Sequence, residues 1–221
     1  MSGRQLGGPF AVLATQAILT LPLGVLQQPP HAAGAVRFLP ALDLKRAALR
    51  GLASGAVIKL LLRFATSFWE ELHEGRYRDA SFFHATHARG MRTFWTPAPA
   101  RAPLLVAWAG GPRALRLAAG ASPADLVRTA LASLQALFGK GLDLAGRLES
   151  YYYHDWQRDP FARGAYSYVT VGGDDARQAL AAPVDNTLFF AGEATDTGNE
   201  AGTVTGALAS GIRAARELLG S

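Results

Sequence analysis

Short apolar runs and longer amphipathic stretches share out the chain. Leu188 to Ala191 is apolar at every position, and Ala56 to Phe64 (AVIKLLLRF) is apolar except at Lys59 and Arg63. Runs of this length without a polar face predict strands buried on both sides. Ala14 to Leu21 reads as a further strand closed by Pro22, and Ser81 to His87, Arg92 to Thr96 and Leu104 to Trp108 as others, separated by glycine or proline turns. Helical spacing is clearest from Ser122, a capping residue followed by proline at the first helical position, through about Phe138. Shorter helices are expected over Leu42 to Leu52 and from Gly111, and a last one from Thr203. The fold class is therefore α/β (α+β), with a mixed sheet.

The proline- and glycine-rich stretch Gln27 to Leu39 reads as a connection between domains, and Gly139 to Gly146 as the return. Residues 1–28 and 147–221 would form one domain, with 29–146 inserted as a second. The 221 residues, 49% of them hydrophobic, suffice for packed cores. The net charge of +5 is spread from Arg4 to Arg216 without a dense cluster, so nucleic acid is not the expected partner. Only Lys45, Lys59 and Lys140 are lysines among the 22 basic residues, which makes each worth inspecting. No cysteine is present, so disulfides and thiolate metal sites are ruled out, and a cytoplasmic, reducing location is expected. The opening apolar stretch is broken by Thr15, Gln16 and Thr20, which suits a strand better than a signal core or a membrane span. His84 and His87 stand three apart, which on a strand points them to opposite faces, so no metal site is expected.

Candidate chemistry concentrates between Leu188 and Arg213. Gly192 ends the apolar strand and Glu193 follows at once, placing a carboxylate at a sheet edge where a sugar hydroxyl could donate to it. The helix start at Thr203 offers unpaired N–H groups and a positive dipole end. Gly202, Gly206 and Ser210, spaced four apart, predict a ridge that a flat ring or another backbone could approach closely. Any one of these glycines alone fits an ordinary strand-loop-helix unit.

Taken as a string, Phe190-Ala191-Gly192-Glu193, Gly202-Thr203-Val204 and Ser210-Gly211-Ile212-Arg213-Ala214-Ala215 resemble the C-terminal signature of the flavin-dependent amine oxidases. That family includes monoamine oxidases, polyamine oxidases and lysine-specific histone demethylases. Pro22-Leu23-Gly24-Val25-Leu26 resembles a second signature, and Trp156, Asp159, Pro160, Gly164 and Tyr166 match a third. The resemblance implies bound FAD, with Gly192, Glu193, Thr203, Val204, Trp156 and Ala165 at the cofactor. It implies Lys59 held through a water at flavin N5, Trp156 packed near the flavin, and Tyr166 as a wall of the amine pocket. Ala165 stands where covalent members carry the attaching cysteine, so the flavin is expected to be noncovalent. The expected partners are a small-molecule amine and oxygen.

No Gly-x-Gly-x-x-Gly turn for the flavin pyrophosphate occurs in the chain. The resemblance therefore corresponds to the C-terminal half of such an enzyme, which would need a missing N-terminal half or would self-associate. Desaturase-like and protoporphyrinogen oxidase-like flavoenzymes share the C-terminal signature, and a noncatalytic interaction protein is the remaining alternative.

Overall fold

The computed structural model describes residues 2–5 and 8–220, with side chains from Phe10 onward. In chain order the first elements are β1 (Ser2–Gln5), β2 (Gly8–Ala11), β3 (Ala17–Leu19), α1 (Leu23–Leu26), α2 (Arg46–Arg50) and β4 (Leu52–Ser54). There follow β5 (Val57–Phe64), β6 (Phe82–His84), β7 (Thr93–Trp95), β8 (Leu104–Gly110), α3 (Gly111–Ala118), α4 (Pro123–Phe138), α5 (Leu144–Arg147) and β9 (Leu148–Tyr153). The chain closes with β10 (Ser167–Val169), α6 (Ala176–Ala181), β11 (Leu188–Phe190) and α7 (Val204–Leu219). Two compact units result, one from the residues up to Gly55 together with those from Asp159 on, the other from Ala56 to Arg158. These limits differ from the expected boundaries at 28/29 and 146/147. Gln27 to Leu39 is not a connection between units, because it folds within the first one. There the Arg163 guanidinium donates to the Ala33 carbonyl at 2.7 Å, and Gly34, at φ 78°, lies where a Cβ would strike the Pro160 carbonyl.

The second unit is a five-stranded antiparallel sheet in the order β6-β7-β8-β5-β9. Period-two alternation along β5 sends Ile58, Leu60, Leu62 and Phe64 to one face, where they are fully buried. Leu126, Val127, Ala130, Leu134 and Phe138 of α4 and Ala114 of α3 cover that face. Helix α4 starts as its sequence demands: Ser122 Oγ accepts from the Asp125 N–H and the Asp125 carboxylate accepts from the Ser122 N–H. The registers place Lys59, Trp108, Thr93 and His84 in a row across the other face, which carries no helix of this unit. Beside them, Leu61, Val106, Trp95 and Phe82 form a parallel row.

The first unit pairs β3 with β11 in parallel, Ala17 opposite Leu188 and Leu19 opposite Phe190, and pairs β4 with β10 antiparallel. The two ends of the aromatic stretch from Tyr151 to Tyr168 pair apart, β9 with β5 and β10 with β4. The expected helix from Leu42 to Leu52 is confined to a 3-10 turn at Asp43–Lys45 and the five residues of α2, after which Leu52 begins a strand. Phe189 and Phe190 of β11 are fully buried, the former against Ala214 of α7.

Lys45 is the unexpected member of this core. Only 3% exposed, it donates from Nζ to the carbonyls of Ala179, at 2.8 Å, and Ala182 at the end of α6, with the Phe190 ring centroid 4.5 Å away. A cation suits a helix C-terminus. Burial, and secondarily the Arg213 guanidinium, push its pKa from 10.5 to about 8, against the pull of Glu217. The folded chain then binds fewer protons at this site than the unfolded chain between about pH 8 and 10.5, so the Lys45 contribution to stability rises with pH across that window. Urea unfolding of wild type and Lys45→Met is expected to show a difference that grows in favour of wild type from pH 7.5 to 10. A pH-independent difference would place the Lys45 pKa at its ordinary value.

Candidate functional site

Strand β11 delivers Gly192 and Glu193 to the carboxyl end of the parallel pair, the edge at which α/β sheets hold ligands. Gly192 sits at φ 118°, a conformation reserved for glycine, and its N–H donates to Ser210 Oγ at 2.9 Å. The Glu193 side chain turns back into the unit. Its Oε1 accepts from the Ser167 N–H at 3.0 Å, while Oε2 accepts from the Ser167 hydroxyl at 2.7 Å and from the Gly202 N–H at 2.9 Å. One carboxylate therefore joins β10, the turn after β11 and the loop before α7. Oε2 is saturated, and Oε1 keeps room for one more donor.

Gly202 stands at φ 78° immediately before α7 and is not helical, so the expected ridge of Gly202, Gly206 and Ser210 does not form. Gly206 and Ser210 instead face the unit's own backbone. A Cβ on Gly206 would strike the Glu200 carbonyl, and Ser210 is buried with its hydroxyl on the Ala207 carbonyl. The outward face of α7 carries Val204, Leu208 and Ile212 at 78%, 66% and 56% exposure. Thr203 caps the helix, accepting from the Gly206 N–H at 3.0 Å, and Ala207 N–H bonds the Thr203 carbonyl. Among the described residues no partner takes the first-turn N–H groups of Val204 and Thr205.

Tyr166 closes this edge. Its backbone carbonyl accepts from the Gly55 N–H at 2.7 Å, and its ring, 43% exposed, passes beside Gly202. Ala165 precedes it, tied through its N–H to the Gly55 carbonyl and otherwise exposed. The first unit thus brings together Gly192, Glu193, Thr203, Val204, Ala165 and Tyr166. Lys59 and Trp156 belong to the second unit. Lys59 is exposed on the helix-free sheet face with Nζ 5.9 Å from the Trp95 ring centroid, and Trp156 is exposed with its ring edge-on to His154 at 4.4 Å. His84 and His87 are both exposed, and no cluster of potential metal ligands occurs among the described residues. None of their helices is long and apolar enough to cross a membrane.

This donor set suits a flavin in part. The open acceptor on Glu193 fits a sugar or ribityl hydroxyl, and the free N–H groups at a helix start fit an electron-rich carbonyl. Ala165 offers no atom for a covalent link. Ser167 and Arg177 were not foreseen from sequence. Ser167 directly follows Tyr166 of the third signature, but its partners lie ten and 26 residues away.

The model of the flavin containing amine oxidoreductase family matches residues 3–219, and the chain belongs to that family. FAD is the cofactor that membership implies. Among curated relatives, lysine-specific histone demethylase 1 homolog 3 of Arabidopsis thaliana is 35% identical over 216 residues, covering 94% of this chain and 12% of that protein. Human lysine-specific histone demethylase 2 is 30% identical over 214 residues, covering 93% and 24%. The fold matches that of putrescine oxidase, solved with putrescine bound, at a TM-score of 0.74 and 22% identity, over 94% of this chain and 43% of the other. The chain therefore spans less than half the length of each of these proteins.

Replacing Glu193 by glutamine turns one acceptor into a donor facing the Ser167 N–H or the Gly202 N–H. The expected loss of folding stability is about 1–3 kcal/mol, the cost of an unsatisfied buried donor. Denaturant unfolding of the flavin-free chain checks this, and an unchanged midpoint would show the carboxylate to be solvated in the free protein.

Proposed function

We propose that the chain is the part of an FAD-dependent amine oxidase that receives the ribityl or ribose hydroxyls and the pyrimidine edge of the flavin and that presents the amine-facing groups. The observation carrying this reading is the convergence of the Glu193 acceptor, the free α7 N–H groups and the exposed Tyr166 ring at one sheet edge, in a chain of this family. When bound, FAD accepts the two electrons that leave the amine α-carbon, and oxygen carries them on to hydrogen peroxide. Water would hydrolyse the imine product to an aldehyde and the released ammonia or amine. Glu193 would orient a hydroxyl, the Val204 and Thr205 N–H groups would face the pyrimidine carbonyl, and the Tyr166 ring would receive the amine. By resemblance to the family, Lys59 would serve N5 through a water and Trp156 would pack near the flavin. A primary amine, a secondary amine or a polyamine fits this reading, in the reducing cytoplasm suited to a cysteine-free chain. The names of the relatives, histone demethylases and putrescine oxidase, support alkylamine substrates.

The pyrophosphate end has no cradle of the Gly-x-Gly-x-x-Gly kind in this sequence. The parallel pair β3-β11 stands as two strands, and Val204, Leu208 and Ile212 lie open on α7. Parallel strands occur almost only in larger covered sheets. A further polypeptide segment of the dinucleotide-binding type would therefore be the partner, self-association being the outcome without it.

Mixing the chain with such a segment from a histone demethylase relative is expected to yield flavin absorbance at one FAD per complex, where the chain alone retains little. Stoichiometric FAD on a monomeric chain by itself would overturn the need for a partner, and a mixture that takes up none would overturn the flavin reading. In the loaded complex, Lys59→Met is expected to slow flavin reduction by an amine by at least about tenfold with FAD retained, as removal of a preorganised polar group at the reacting centre does. Unchanged reduction kinetics would remove Lys59 from the mechanism.

A further inference from the structure

The acceptor geometry of Glu193 is imposed from outside the sheet edge. Arg177, on α6, donates from Nη1 to Ser167 Oγ at 2.7 Å and from Nη2 to the Ser167 carbonyl at 3.2 Å. Its Nη1 also lies 3.4 Å from the carbonyls of Glu193 and Ala194. A guanidinium has only donors, so Ser167 Oγ must act as acceptor toward it. The single hydroxyl proton of Ser167 is then committed to Glu193 Oε2, 2.7 Å away. With the Gly202 N–H on Oε2 and the Ser167 N–H on Oε1, the carboxylate can neither rotate nor shift without breaking a bond. All that remains to it is the second acceptor position on Oε1. Ser167 is 5% exposed, so water does not compete for its hydroxyl.

We infer that Arg177 and Ser167 are positioning residues that set the polarity of this relay, so that Glu193 presents one open acceptor of fixed direction to a flavin hydroxyl. The inference rests on the reading of Glu193 as a flavin-hydroxyl acceptor. Neither Arg177 nor Ser167 touches the flavin in this account. Both act through the carboxylate. Without Arg177 the Ser167 hydroxyl is free to turn away from Oε2, the carboxylate regains rotation, and affinity falls for any flavin bearing a hydroxyl chain.

Three flavins separate the contributions: lumiflavin has no hydroxyl chain, riboflavin has the ribityl chain alone, and FAD adds the adenosine ribose. The full chain and its Arg177→Met, Ser167→Ala and Glu193→Gln variants are titrated with each by flavin fluorescence, to millimolar concentration, with thermal melts alongside. Each variant is expected to lose about fivefold to tenfold in riboflavin and FAD affinity, the net size of one ordinary hydrogen bond, and to keep wild-type affinity for lumiflavin. In the Glu193→Gln background, Arg177→Met is expected to add less than about twofold. A loss seen with FAD alone moves the contact to the ribose and supports the same relay. Should Arg177→Met unfold, Ser167→Ala, which deletes one oxygen, carries the comparison. Equal losses for lumiflavin and riboflavin, or additive losses in the double variant, would overturn the inference by making Arg177 a general structural brace. A wild-type chain that binds riboflavin and FAD no better than lumiflavin would overturn the reading of Glu193 itself, and the inference with it.

Discussion

A carboxylate drawn partly out of water must find donors, and Glu193 finds three of them on two other segments. Its bonds to the Ser167 N–H, the Ser167 hydroxyl and the Gly202 N–H fix where β10 begins, where the turn after β11 runs and where α7 can start. Loss of such an acceptor strands buried donors, a larger penalty than the bonds themselves are worth. The rest of the edge follows from it. Tyr166 is carried beside Gly202 because β10 is pinned one residue later, and the α7 N–H groups are aimed outward because Gly202 supplies the left-handed turn before them. Behind the edge, the Ser210 hydroxyl holds the Gly192 N–H, and Arg213 reaches the Phe190 carbonyl at 2.6 Å.

In the second unit the governing constraint is the pleat. Alternation along β5 makes one face a hydrophobic floor for α4 and leaves the other to Lys59, Leu61 and Arg63. A lysine in the middle of an otherwise buried strand is tolerable because it occupies the face that carries no helix of this unit, with an indole nearby to attract its ammonium. The same parity lines up His84, Thr93, Trp108 and Lys59 across four strands. This is a surface of aromatic and polar groups on a rigid sheet, the kind of element that can hold functional groups in place.

Local signals carried much of this arrangement. The apolar run from Ala56 to Phe64, the cap and proline at Ser122-Pro123 and the strand before Gly192 are legible because their determinants lie within a few residues. The face occupied by Lys59 follows from parity alone. Long-range pairing is not legible in that way. Nothing near Ser167 announces that its partners are Arg177 and Glu193, and nothing near Lys45 announces that it will cap α6, although the scarcity of lysine drew notice to it. A spacing of four suggested a ridge from Gly202 to Ser210, but the positive φ at Gly202 ends that pattern before the helix begins. The proline-rich stretch from Gln27 to Leu39 resembled a linker by composition, whereas its contacts with Pro160 and Arg163 make it part of a folded unit.

The Glu193 carboxylate, held by three donors, organises the sheet edge proposed to receive a flavin before any ligand arrives. Amide hydrogen exchange on the flavin-free chain, wild type against Glu193→Ala, tests it most directly. The Ser167 and Gly202 amides are expected to exchange slowly in wild type and to lose protection together in the variant, while the β5 amides stay protected. Fast exchange at both amides in wild type, or protection that survives removal of the carboxylate, would contradict it.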